Sequence, residues 1–159
     1  EPYLEALPKH RIKAVLLHEI LTELIVAFDM RSAIAEAKKY CKKKLGVSLG
    51  LETRNIGHLY KYLENRRISV EYIMTPLNPL GYQMAPSKEE AEKAIRVLSS
   101  RGAKILAINI LASGAITLED AILYLKNFRK DIYAVTTATT KPWRARENMV
   151  KLRESLWHT

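Results

Sequence analysis

The chain has 159 residues, of which 48% are hydrophobic and 27% charged, and its formal net charge is +9. That is long enough for one domain with its own core (residues 1–159), and the charge favours anionic partners without choosing among nucleotide, nucleic acid and acidic membrane. The single Cys41 excludes an internal disulfide and fits a reducing, cytoplasmic setting, and no segment is apolar and long enough to span a bilayer. The chain opens on Glu1 rather than Met and carries no signal-peptide pattern, so it reads as starting inside a longer protein.

The predicted elements alternate between strand and helix. Residues 14–18 form a short apolar run of strand type. Residues 30–44 have helical spacing, with Ile34, Ala37 and Cys41 on one stripe. A strand is expected over 47–51, a helix over 56–65, and a strand over 70–74 that ends before Pro76. Ser87 followed by Glu90 has the form of a capping box, and it starts a helix to about residue 99 that Gly102 stops. A strand follows over 104–110, then a helix from Thr117 to about residue 129. The last strand spans 132–136 and the last helix 142–156. These are five strand–helix units of about thirty residues, the size of a βαβ repeat, and they imply a parallel sheet covered on both faces. Two architectures fit: a five-stranded doubly wound parallel sheet, or roughly the last five units of a (β/α)8 barrel. Both place functional residues at the carboxyl ends of the strands.

The loops at those ends carry the candidate chemistry. His18 closes the first strand, where an imidazole can donate a proton or polarise an oxygen, or can simply bond to nearby backbone. Gly50-Leu-Glu-Thr-Arg-Asn55 offers polar groups and a glycine for close approach. Thr75-Pro-Leu-Asn-Pro-Leu-Gly-Tyr-Gln-Met84 is stiff and apolar, a composition that suits a pocket wall. Small residues in Asn109-Ile-Leu-Ala-Ser-Gly114 let a ligand or another backbone come near. The last unit is the richest. A buried strand, a Thr-rich turn and a helix opened by Pro142 form a phosphate-type corner, with Lys141, Arg144 and Arg146 adding charge. An ordinary helix start with a solvated basic face is the competing reading. No Gly-rich dinucleotide fingerprint, Walker loop, zinc pattern or nucleophile elbow occurs in the sequence. The lysines at 38–39 and 42–44 sit at one helix end and read as a solvated face complementing the helix dipole.

The order of these loops resembles the aldo-keto reductases over the last five units of that family's barrel. Leu-Leu-His18 is similar to the segment carrying the family's active-site His. Residues 49–55 resemble its Ile-Gly-Val-Ser segment, Pro76-Leu-Asn78 its Pro-Tyr-Asn, and Leu111-Ala-Ser-Gly114 its Leu-x-x-Gly. Arg144-x-x-Glu147-Asn148 is the most specific likeness. The resemblance implies NADP as cofactor, with Lys141 and Arg144 at the 2′-phosphate and Glu147 and Asn148 at adenine. It places Glu52, Thr53, Asn78 and Leu111 along the rest of the cofactor, and His18 as the catalytic residue that orients a small carbonyl substrate. The chain departs from the pattern at the nicotinamide end. Glu52 replaces a Ser, Met74 a Gln, Leu77 a Tyr and Ile108 an aromatic ring. A carboxylate there needs a cation such as Arg54 beside it. The family's catalytic Asp, Tyr and Lys belong to the first three units, which this chain lacks. The expected function is thus an NADP-linked oxidoreductase of this type or a diverged relative. The alternatives are a non-catalytic binding or regulatory domain of the same fold and, last, a basic nucleic-acid-binding domain. The open edges of a five-stranded barrel piece imply either the missing N-terminal units or homo-oligomerisation.

Overall fold

In the computed structural model, which describes residues 12–157, each strand hydrogen-bonds to the strand that follows it in the chain. The strands are β1 (Ala14–Leu17), β2 (Ser48–Glu52), β3 (Tyr72–Pro76), β4 (Lys104–Ile108) and β5 (Ile132–Val135). All the pairings are parallel. The helices are α1 (Glu19–Ala27), α2 (Arg31–Tyr40), α3 (Ile56–Arg66), α4 (Lys88–Ser100), α5 (Leu118–Leu125) and α6 (Pro142–Trp157). A five-residue π-helix, Cys41–Leu45, extends α2 and ends at Gly46 in the left-handed region.

The order β1-β2-β3-β4-β5 excludes the doubly wound alternative. A doubly wound sheet needs a reversal of strand order to send helices to both faces. Here there is none, and right-handed crossovers between neighbouring strands keep every helix on one side. The architecture is therefore a five-unit arc of an α/β barrel. The register bears this out. Leu51 aligns with Ile73, and Ile73 with Ile105, all fully buried. These side chains share one core with Ile34, Ile56, Leu59, Ile95 and Leu125 of the helices. The opposite face carries Gly50, Tyr72, Met74, Leu106 and Ile108. Met74, Leu106 and Ile108 there are only partly buried, and no second layer of helices covers them among the described residues. The expectation of a sheet covered on both faces is corrected accordingly, because that face is the inside of the arc.

Local chemistry explains most element starts. Ser87 caps α4 by accepting from the Glu90 N–H at 3.2 Å, and Thr117 caps α5 by accepting from the Asp120 N–H at 3.1 Å. Asn55 caps α3 through the His58 N–H at 3.3 Å. Gly102, at φ 91°, ends the chain's run out of α4. The strand expected over 70–74 lies two residues later, at Tyr72–Pro76. The helix α1 has no counterpart in the sequence reading. It shows Ile20, Leu21 and Leu24 to solvent and buries Thr22 and Ile25, so no amphipathic stripe announces it.

The inner face is tightest at Gly50. A Cβ there would lie 2.9 Å from the Tyr72 Cβ and 3.1 Å from Leu16 Cδ2. The glycine thus admits neighbouring side chains, where the sequence suggested a ligand. Gly50→Ala is expected to lower the unfolding free energy by about 1–3 kcal/mol through overpacking, measured by urea denaturation.

Candidate functional site

Three loops are locked together at the C-terminal ends of the strands. Asn78, fully buried after β3, donates from Nδ2 to the Tyr82 carbonyl at 2.9 Å and to the Asn109 carbonyl at 3.3 Å. Its Oδ1 accepts from the Tyr82 N–H at 2.9 Å. Asn109, after β4, donates from Nδ2 to Gln83 Oε1 at 2.9 Å, and its own Oδ1 accepts from the Ser113 N–H at 3.0 Å. Gln83, Asn109, Ala112 and Ser113 all have left-handed backbone, with φ between 47° and 59°. Such conformations cost about 1 kcal/mol or more each, and they persist where surrounding contacts over-determine them. The result is a preformed wall. It borders an open groove of about 610 Å³ whose lining includes Arg54, Asn109, Leu111, Ser113, Gly114 and Thr136 to Ala138. Hydroxyl groups and a glycine face a cleft whose far side is the Thr-rich loop after β5.

One end of the groove is acidic. Arg54 lies between Glu52, 3.4 Å away through Nη2, and Glu19, which its Nε contacts. Glu23 Oε1 accepts from the Arg54 N–H at 3.0 Å and from the Thr53 hydroxyl at 3.2 Å. One guanidinium therefore serves two carboxylates, with a third gripping its backbone. The charge on Glu52 is compensated as the sequence required. Arg54 Nη1 is buried with no hydrogen-bond partner among the described residues, an uncommon state for a guanidinium donor. His18, exposed at the end of β1, caps α1: its Nδ1 accepts from the Ile20 N–H at 3.4 Å. An accepting Nδ1 leaves the ring proton on Nε2, so the free nitrogen is a donor.

Beyond the groove lining, the loop after β5 leads to a basic corner. After β5 the chain runs through Thr136 to Thr140 into α6. There Lys141 and Arg144 flank the exposed Trp143 ring, with Nζ at 5.9 Å and Cζ at 5.2 Å from its centroid. The Lys141 N–H donates to the Thr139 hydroxyl at 3.2 Å.

The residues singled out by sequence divide into two sets. Leu111 lines the groove, Glu52 is part-buried in its ion pair with Arg54, and Lys141 and Arg144 are exposed outside the groove lining. Thr53 and Asn78 are buried, and the hydrogen bonds already described, together with the Asn55 N–H at 2.8 Å from the Thr53 hydroxyl, occupy them within the fold. Glu147 turns to Lys151 at 3.2 Å, and Asn148 is buried in the helix packing. The sequence points to the loops that hold Gln83 and Asn109 without giving either residue a role, and it gives none to Glu19 or Glu23. A left-handed asparagine carries a weak signal at best, and carboxylates from a helix it had not assigned carry none. Asn78→Ala removes three hydrogen bonds from a buried position. It is expected to cost about 2–3 kcal/mol by urea denaturation and to increase amide exchange across residues 78–84 and 109–113.

Comparison of the sequence with protein-family models finds no match, and comparison with curated proteins finds none. Comparison of the structure finds two solved structures of a putative aldo-keto reductase from Pseudomonas aeruginosa. Each superposes with a TM-score of 0.63 at 16% sequence identity. The alignments cover 92% of this chain and 53% or 52% of the neighbour. The chain thus spans about half the length of the structures it matches, and its fold is that of a partial aldo-keto-reductase-like barrel.

Proposed function

We propose that the groove binds a dinucleotide of the NADP class, chiefly by its adenosine–phosphate half. On this reading the chain is the cofactor-binding part of an NADP-linked oxidoreductase of aldo-keto reductase type, acting on carbonyl compounds once further strand–helix units close the barrel. The observation that carries it is the groove itself: a wall preformed by left-handed residues at one side, a Thr-rich loop at the other, and cations where that loop enters α6.

The donor set suits phosphate. Ser113, Thr136 and Thr137 offer hydroxyls, and Lys141 and Arg144 offer charge that would favour a 2′-phosphate over a bare ribose hydroxyl. The donor set does not suit a neutral nicotinamide amide in the way the family's does, since Glu52, Arg54 and Glu19 put three charges there. When bound, the dinucleotide would supply hydride. In this chain His18 Nε2–H can polarise a carbonyl oxygen, while the proton donor would have to come from other units. A second reading, a non-catalytic binding domain, is favoured by that same charged trio.

Calorimetric titration with NADPH, NADH and adenosine 2′,5′-bisphosphate tests the reading. NADPH is expected to bind at least tenfold more tightly than NADH, and the bisphosphate within a few-fold of NADPH. Arg144→Ala should weaken both 2′-phosphorylated ligands by about ten- to a hundredfold, the worth of a charge-assisted hydrogen bond. Equal affinity for NADPH and NADH, or no binding by a chain shown to be folded, would overturn it. Glu52→Ser should then strengthen NADPH and leave the bisphosphate unchanged. An unchanged ratio would remove the nicotinamide end from the site and favour the non-catalytic reading.

A further inference from the structure

A second concavity lies at the opposite, N-terminal end of the sheet, about 840 Å³ in volume. It is bounded by the residues leading into β1 and β2, by the side of α2 and its π-helical extension, and by Ser69 and Glu71 before β3. Three lysines from separate elements line it: Lys13 ahead of β1, Lys38 on α2, and Lys42 on the π-helix. Lys38 and Lys42 are one helical turn apart and face the same way. Lys38 Nζ is held at 2.5 Å from the Ser69 carbonyl, which fixes its amine at the cleft wall. Among the described residues no carboxylate pairs with Lys13 or Lys42.

The one acid in the lining is Glu71, and it is already neutralised. Lys104 Nζ donates to it at 2.8 Å and the Ser48 hydroxyl at 2.5 Å, and these two hydrogen bonds hold its carboxyl below the usual range. The cleft therefore carries an uncompensated charge of about three cations within a bounded volume. Lysines that line one concavity repel one another, and an anion among them relieves that repulsion.

We propose that this cleft is a binding site for a small polyanion of the oligophosphate class, separate from the groove at the other end of the sheet. An oligophosphate suits it better than a nucleic-acid strand. The lysines converge on one concavity, and no aromatic side chain among the described lining residues offers a base a stacking surface. The site does not depend on the dinucleotide reading, because the two lie at opposite ends of the strands.

Titration of the whole chain with inorganic tripolyphosphate at low salt is the test, followed by calorimetry. Binding is expected, weakening as salt rises. Lys42→Glu and Lys13→Glu should each reduce the affinity by about tenfold or more, the effect of reversing a near charge. Lys44→Glu is on the same π-helix but outside the lining, and it should change the affinity less than threefold. Thermal unfolding of each variant checks that the fold is kept, and a variant that fails this is replaced by Lys42→Gln or Lys13→Gln. An equal loss in Lys44→Glu would reduce the effect to net charge. A loss confined to Arg144→Glu would move the ligand to the other groove. Tighter binding of a single-stranded oligonucleotide than of tripolyphosphate would assign the surface to nucleic acid. Any of these, or no binding by the unaltered chain, overturns the proposal.

Discussion

Each strand bonds to its successor, and the rest of the molecule is arranged around that ladder. A parallel neighbour can be reached only by a crossover, and a right-handed crossover to the next strand always returns over the same face. The six helices therefore form one layer, and the Leu51–Ile73–Ile105 row is the seam on which they sit. The other face curves inward. The same constraint gathers every strand's carboxyl end on one rim, so loops that are 30 residues apart in sequence become neighbours there. Asn78 and Asn109 meet for this reason alone.

The rim shows how charge and backbone strain are used together. Arg54 is held by carboxylates on three sides, while Lys141 and Arg144 stand in the open beside Trp143. Polarity thus changes along the rim, from the compensated cluster around Arg54 to the exposed cations where the last loop enters α6. Between them the left-handed turn at Asn109–Ser113 is fixed by its own side-chain hydrogen bonds, so the groove does not have to order itself when a ligand arrives. The basic cleft at the other end of the sheet is built differently. It depends on one compact salt link, Glu71 with Lys104, which removes the one negative charge among its described lining residues.

Much of the fold was legible in the residues. The Ser87 and Thr117 caps and the stop at Gly102 are local signals, and each lies where the sequence put it. Local periodicity could not choose between a barrel arc and a doubly wound sheet, since pairing leaves no mark in it; the resemblance of the strand-end loops favoured the barrel, and the strand order bears that out. The helix α1 was missed because its exposed Ile20, Leu21 and Leu24 break the amphipathic pattern. The site was read in part. The rim loops and the Arg54–Glu52 pairing followed from residue type and position, and Leu111 was singled out by the resemblance. Thr53 and Asn78 did not, because a polar side chain that braces a loop has the same letter as one that meets a ligand. The hydrogen-bond partners in the folded chain are what separate the two.

The nearest-neighbour order of the strands has one further consequence. Each strand–helix unit touches chiefly the units beside it, which makes the arc a short linear array, closer in its energetics to a repeat protein than to a sheet with interleaved strands. Stability in such an array is a sum over units and junctions. Loss of the terminal β5–α6 unit would subtract one unit and one junction and leave the β1–β4 core paired as before, while a cut in the middle would leave two pieces, each with its own intact order. Growth or shortening by whole units at either end is thus the kind of change this architecture tolerates best.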